Sequence, residues 1–199
     1  MSVNKKIPTC PEEEAYLKYI NEHRNTVKIS FLKHGQYICL CLSLIGIERK
    51  KNDFEQSIYD KLKTRIASHD KSKYDEKEFE GYRQWFFPKD GEEKNHDAFL
   101  KSWQHHYQTN DHHWQYWIDG TNVKEMDRLA IAEMILDWEA MSVQFKNNPV
   151  DWYNEHKNEI VLGKQTRELV EKTLNSLQSI KEYPYTINRK SNRRRHRKK

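Results

Sequence analysis

Ten histidines stand in this chain, and several sit where side-chain chemistry would want them. His69 is followed directly by Asp70. Two doublets come later, His105-His106 and His112-His113, while His23 and His34 stand singly on an early amphipathic stretch. Neutral imidazole is the commonest protein ligand for divalent metals, and Asp70 places a hard oxygen donor beside a nitrogen one. Glu133 and Asp137, four residues apart, share one edge of a helix if that segment is helical. Imidazoles with one or two carboxylates, delivered by separate segments, suit Mn, Fe, Zn, Mg or Co. Such a metal lowers the pKa of a bound water to about 7, which is the chemistry of hydrolysis.

Each element also has a plainer reading. A lone His on an apolar helix face is commonly a satisfied core residue, and an Asp at a helix edge is commonly surface. His34 lies 11 residues after His23, on nearly the same face but about 16 Å along the axis. The two cannot serve one metal on a continuous helix, and His23 is the better candidate. The two doublets are one heptad apart, so His105 with His112, and His106 with His113, would share faces if the segment were helical; Asn110-Asp111 is where it would break. These four histidines are candidates for a second metal or for phosphate contacts.

The elements that must hold these residues read as helices. Thr9-Cys10-Pro11-Glu12 has the form of a helix start. Tyr16, Leu17, Ile20, Val27, Phe31 and Ile38 then recur at helical spacing toward Ile45, with Asn25 the point of a break and Gly46 the end. After a polar loop, Glu48 to Asn52, the spacing Asp53-x-x-Gln56 predicts a capped helix whose Ile58, Leu62 and Ile66 form a buried face continuing to His69. Asp75-x-x-Glu78 opens another, with Phe79, Tyr82 and Phe86, ending before Pro88. A histidine-rich segment runs on from Asp97. A helix from about Lys124 to Phe145 turns Ile131, Met134, Ile135, Trp138 and Phe145 inward, and a last one covers about Thr166 to Lys181. With no sustained two-residue alternation, the fold class is all-α. Residues 1–10 read as an arm, 11–183 as a single compact helical domain, and 184–199 as a disordered basic tail.

In order along the chain, His23-x-x-x-Val27, Ser68-His69-Asp70-Lys71-Ser72-Lys73 and Ile131-Ala132-Glu133-Met134-Ile135-Leu136-Asp137 resemble the HD-domain superfamily of metal-dependent phosphohydrolases. The resemblance spans about Tyr16 to Phe145. It implies that His23, His69, Asp70 and Asp137 are the primary metal ligands, and His105-His106 resembles the extra histidines of multi-metal phosphodiesterase branches. No Gly-Tyr-Pro element follows that doublet, a departure from those enzymes. His69-Asp-x-Ser-Lys73 with Asn110-x-His112-His113-x-x-Tyr116-Trp117 is closer still to an uncharacterised family of phage and bacterial proteins. On this reading the protein is a metal-dependent phosphohydrolase acting on a nucleotide or related phosphate ester. Asp70 binds metal and orients or deprotonates the water, and Lys73 neutralises a phosphate oxygen. Glu133 supports a histidine ligand or acts as general base. The competing reading is a non-catalytic helical binding protein in which metal is a structural staple.

Charge and composition bound the remaining possibilities. The formal charge is +5, but Arg189 to Lys199 holds eight Lys or Arg and no acid, so residues 1–188 carry a net −3. The basicity belongs to the tail, which fits a nucleic-acid contact, a polyanion tether or a nuclear-localisation signal in a eukaryotic setting. Cys10, Cys39 and Cys41 include no CxxC pair and read as buried thiols in a reducing compartment. The apolar run Tyr37 to Ile47 is 11 residues long, short of the ~20 needed to span a bilayer. The expectation is an intracellular, cytoplasmic protein with no membrane partner.

Overall fold

A computed structural model of the chain describes residues 6–43 and 51–180, with side chains described in 6–42 and 58–180. Gly46 and the basic tail, including its proposed nucleic-acid contact, lie outside the described residues. The described elements are seven α-helices and one two-residue hairpin, so the all-α expectation holds. No described helix is long and apolar enough to cross a membrane.

The first helix, α1 (Pro11–Ser43), runs 33 residues without a break at Asn25, about 50 Å of continuous rod. Pro11 opens it at the position where its missing N–H costs nothing. The Glu13 carboxylate accepts a hydrogen bond from the Thr9 backbone N–H at 2.8 Å, closing the first turn. One stripe of α1 is buried throughout: Tyr16, Ile20, His23, Val27, Phe31, Ile38 and Leu42. His23 therefore occupies a core position on a helix that also packs against several later helices.

The next helix, α2 (Lys51–Ser68), begins two residues before the expected Asp53 cap, so Asp53 lies inside it. Leu62 and Ile66 bury its inner face. The helix stops at Ser68, and Asp70 adopts φ 54° in the left-handed region before a short 3-10 turn, Lys71–Tyr74. That conformation costs a non-glycine residue roughly 1 kcal/mol or more, least for Asp and Asn, whose short polar side chains tolerate it. The chain reverses at this point, so Lys73 reaches Asp70 across a tight turn and not along a continuing helix.

The pair α3 (Glu76–Phe86) and α4 (His96–Thr109) pack closely on each other. Asp75 occupies the cap position of α3, but its side chain makes no capping bond. The intervening loop is fixed by buried Arg83, which donates to the Phe87 carbonyl at 3.2 Å and to Glu92 Oε1 at 2.7 Å. The closeness of the two helices depends on Gly81. A Cβ there would stand 2.5 Å from the Ala98 carbonyl oxygen and 2.3 Å from Ser102 Oγ, and the Ala98 backbone has no rotamer with which to yield. Gly81→Ala should cost about 1–3 kcal/mol by overpacking, read as a lower denaturant midpoint. It should also weaken metal binding at the histidines that α4 carries.

After α4 come a turn, a 3-10 segment at Trp114–Trp117 and the hairpin β1 (Ile118–Asp119) with β2 (Asn122–Val123), turned at Gly120. Helix α5 (Arg128–Phe145) starts four residues later than expected because Asp127 caps it, accepting from the Leu129 N–H at 2.8 Å. Ile131, Met134 and Ile135 are buried as expected. Phe145, expected inward, is exposed at the last turn, where Lys146 turns left-handed and closes the helix.

Helix α6 (Pro149–His156) is an addition to the sequence reading; Asn148 caps it and Pro149 opens it. The last helix, α7 (Lys164–Ser179), is capped from outside, since Glu125 accepts from the Thr166 N–H at 2.7 Å and the Gln165 N–H at 3.1 Å. Of the cysteines only Cys39 is buried; Cys10 and Cys41 are half-buried. The main core lies between α1, α2, α5, α6 and α7, and a second apolar cluster, Tyr16, Ile20, Phe79 and Tyr82, lies between α1 and α3. The histidines gather where the elements of both clusters meet.

Candidate metal centre

Asp70 is the hub. Its Oδ2 lies 3.4 Å from His23 Nε2, 3.6 Å from His69 Nε2 and 2.7 Å from Lys73 Nζ. Its Oδ1 lies 3.3 Å from His106 Nε2 and 3.5 Å from His112 Nε2. Asp137 Oδ1 approaches from α5, 3.1 Å from His23 Nε2 and 3.7 Å from His69 Nε2. Three overlapping donor sets result, Asp70 with His106, His112 and His113; His23 with His69 and Asp70; and His69 with His112 and Asp137. Within each set the donor atoms all lie within 4.8 Å of one another, close to the roughly 4.0–4.4 Å that two metal–ligand bonds of about 2.0–2.2 Å span end to end.

Several of these donors are left without a hydrogen-bond partner. Asp70 Oδ1, Asp137 Oδ1, His112 Nε2 and His113 Nε2 are buried and make no hydrogen bond. Their contacts at 3.1–3.5 Å are close enough for charge attraction but lack hydrogen-bond alignment. Four buried polar atoms left this way would be costly, and cations bound at the overlapping donor sets would satisfy them. The nitrogen and oxygen mixture fits a divalent transition metal.

The ring nitrogens facing away from the cluster are held by glutamates. His69 Nδ1 lies 2.9 Å from Glu133 Oε1, and His106 Nδ1 lies 2.8 Å from Glu78 Oε2. An imidazole donating from Nδ1 to a carboxylate keeps the Nε2 lone pair for a metal and is fixed in orientation. Glu133 in turn accepts from Arg65 Nε at 2.7 Å. The Arg65 guanidinium also grips the Asp111 carboxylate, while Trp117 Nε1 donates to the Asp111 carbonyl at 2.7 Å. These bonds fix the turn bearing His112 and His113, which lies beyond the end of α4 and still brings both rings into the cluster.

Sequence reasoning therefore located His23, His69, Asp70, His106, His112, His113 and Asp137 in one place. His105 is not among the donors brought together; it points to the far side of Glu78, 2.7 Å from Oε1. Glu133 stands behind His69 and is not among the residues lining the adjoining cavity. His34 is removed from the cluster and meets Glu139, 3.1 Å from its Oε1. Glu78 was missed as a site residue because its spacing from Asp75 is that of a capping pair. Instead it is fully buried and accepts from Ser72 Oγ at 3.0 Å as well as from the histidines. Arg65 was also missed, since nothing in its spacing distinguishes it from a solvated helix residue.

The side chains also fix their own charges. Burial alone would raise Asp70 and Asp137, but the imidazoles around both, with Lys73 beside Asp70, outweigh it and hold both carboxyls well below their usual range. Burial would lower His23, His69 and His106, yet the carboxylates win and raise all three, His69 to about 10. His113 goes the other way, lowered by burial and by His112 and His106. The raised histidines contribute stability that is complete below their unfolded value of 6.5 and lost as pH rises through the folded values. The lowered aspartates contribute stability present above 3.8 and lost as pH falls;. The chelated protein should thus be most stable between about pH 4 and 6.5. A metal must displace protons from these rings, so the rise in Tm on adding metal should grow from pH 5.5 to 8, checked by paired melts with and without chelator.

The fold and the cluster define an all-α protein with a buried His/Asp centre able to hold metal. Residues 12–176 match the model of DUF5662, a family of unknown function, and the chain belongs to that family. No curated protein and no solved structure matches it.

Proposed function

We propose that this protein is a metal-dependent phosphohydrolase, similar to the HD-domain enzymes, acting on a nucleotide or related phosphate ester. The observation that carries the reading is the gathering of six further donors around Asp70, with histidines close to both of its oxygens and Lys73 2.7 Å from Oδ2. On this reading one ion would be held by Asp70, His106, His112 and His113, and a second by His23, His69 and Asp70, with Asp137 beside His23 and His69. When bound, they supply Lewis acidity toward a phosphoryl oxygen and lower the pKa of a coordinated water.

The chain's own groups do the rest. Asp70 spans both sets and orients the attacking water. Lys73, 2.7 Å from Asp70 Oδ2, would neutralise a phosphoryl oxygen as negative charge builds. Glu133 and Glu78 hold His69 and His106 in the tautomer that presents Nε2. In the reaction a water oxygen bonds to phosphorus and the ester P–O bond breaks. The electron pair stays with the departing alkoxide, which takes a proton.

The test is metal content by mass spectrometry together with phosphate release from a panel of phosphate esters, using the full chain with Mn, Fe, Zn, Mg or Co. About two ions per chain and hydrolysis that a chelator stops and metal restores are expected. Bound metal with no hydrolysis under any of these ions would favour the structural-staple reading and overturn this one.

A further inference from the structure

Beside the cluster opens a cavity of about 650 Å³, within the range of small-molecule sites. Its floor includes His23, Asp70, His106, His112, His113 and Asp137, and its walls are mostly aromatic. Tyr82, Phe86, Phe99 and Trp103 come from α3 and α4, and Trp138 and Trp152 from α5 and α6. Trp152 packs against Trp138 with ring centroids 5.3 Å apart and stacks on His156 at 4.9 Å. Apart from histidines, Lys73 is the single cationic side chain among the described residues lining it, and Glu159 adds a carboxylate at the α6 end.

A chain of phosphates would need a positive group for each phosphate beyond the metal-held one, and would meet aromatic wall and Glu159 instead. A small polar ester would leave most of the wall in contact with water. We propose that the cavity selects a phosphomonoester with one phosphoryl group on a flat aromatic body, of the size and kind of a nucleoside monophosphate. The phosphoryl group lies at the Asp70 cluster beside Lys73 and the ring system lies against the tryptophan wall of α5 and α6. This rests on the phosphohydrolase reading and narrows its substrate.

Binding separates the two claims. The metal-loaded full chain is titrated calorimetrically with a nucleoside 5′-monophosphate, the 5′-triphosphate of the same nucleoside, and methyl phosphate, and hydrolysis of each is measured in parallel. The monophosphate should bind at least ~10-fold more tightly than methyl phosphate, the scale of one base stacked on an aromatic side chain, and more tightly than the triphosphate. Trp152→Leu should weaken the monophosphate ~5-fold or more and leave methyl phosphate unchanged, with Trp152→Phe restoring most of the loss. Should the Trp152 variants fail to fold, Trp138→Leu, half-buried on the same wall, serves in their place. Triphosphate binding as tight as monophosphate, or methyl phosphate binding as tight, overturns the substrate inference while hydrolysis keeps the enzyme reading. If none of the three binds or is hydrolysed with metal present, both fall together.

Discussion

Asp70→Asn should disable both proposed ion sites and not one of them. Metal content should fall from about two ions per chain to near zero, or affinity should weaken by at least ~10³-fold, because the two sets proposed to hold ions share that carboxylate;. The remaining set, His69 with His112 and Asp137, keeps a single carboxylate. Asparagine is the informative substitution because it tolerates the left-handed backbone at φ 54°;, so the turn that aims His69 survives. The matched control is His113→Ala. His113 belongs to a single donor set, so its loss should cost one ion and spare the other. Equal losses from the two variants would show that Asp70 does not join two sites. Removing the carboxylate also leaves Lys73 without its partner at 2.7 Å, at a cost of up to about 3 kcal/mol, so circular dichroism must accompany the metal assay.

Glu133→Ala should be nearly as damaging by a different route. Glu133 is 3% exposed and holds His69 Nδ1 at 2.9 Å and Arg65 Nε at 2.7 Å. Truncation leaves a buried imidazole N–H unpaired and opens a small void, together about 3 kcal/mol. Metal affinity should fall about 10–100-fold, the usual penalty for losing the carboxylate behind a histidine ligand. Saturating metal separates orientation from proton transfer. If Glu133 only orients His69, a high metal concentration restores hydrolysis in Glu133→Gln. Hydrolysis still absent at full metal occupancy would return Glu133 to the role of general base.

The two variants bracket what was legible beforehand. The register of α1 was readable because Tyr16, Ile20, Val27 and Phe31 mark a helical stripe, and His23 falls on that stripe. His69-Asp70 stood out because it closes an apolar helix, and Asp137 because it shares a helix edge with Glu133. Helix ends were read less well. Asp53 looked like a cap yet lies inside α2, and Asp75-x-x-Glu78 marked the start of α3 correctly for the wrong reason. A carboxylate three residues after an Asp has the same sequence whether it turns back to its own backbone or across to two histidines about thirty residues away. Short helix α6 was missed because eight residues give too little periodicity, leaving Asn148-Pro149 as the one cue.

The sequence by itself determined the helical architecture and singled out most of the side chains that the structure gathers around Asp70, because periodicity and residue chemistry are local properties. Only the tertiary structure decided how they combine. Asp70 faces both sets of histidines because the chain turns left-handed there; His112 and His113 reach the cluster from a turn fixed by Arg65, Asp111 and Trp117; and His105 swings to the other side of Glu78. Each of these depends on contacts between segments 27 to 68 residues apart. Whether two such side chains meet is fixed by the packing of whole helices against one another, and no local pattern encodes it.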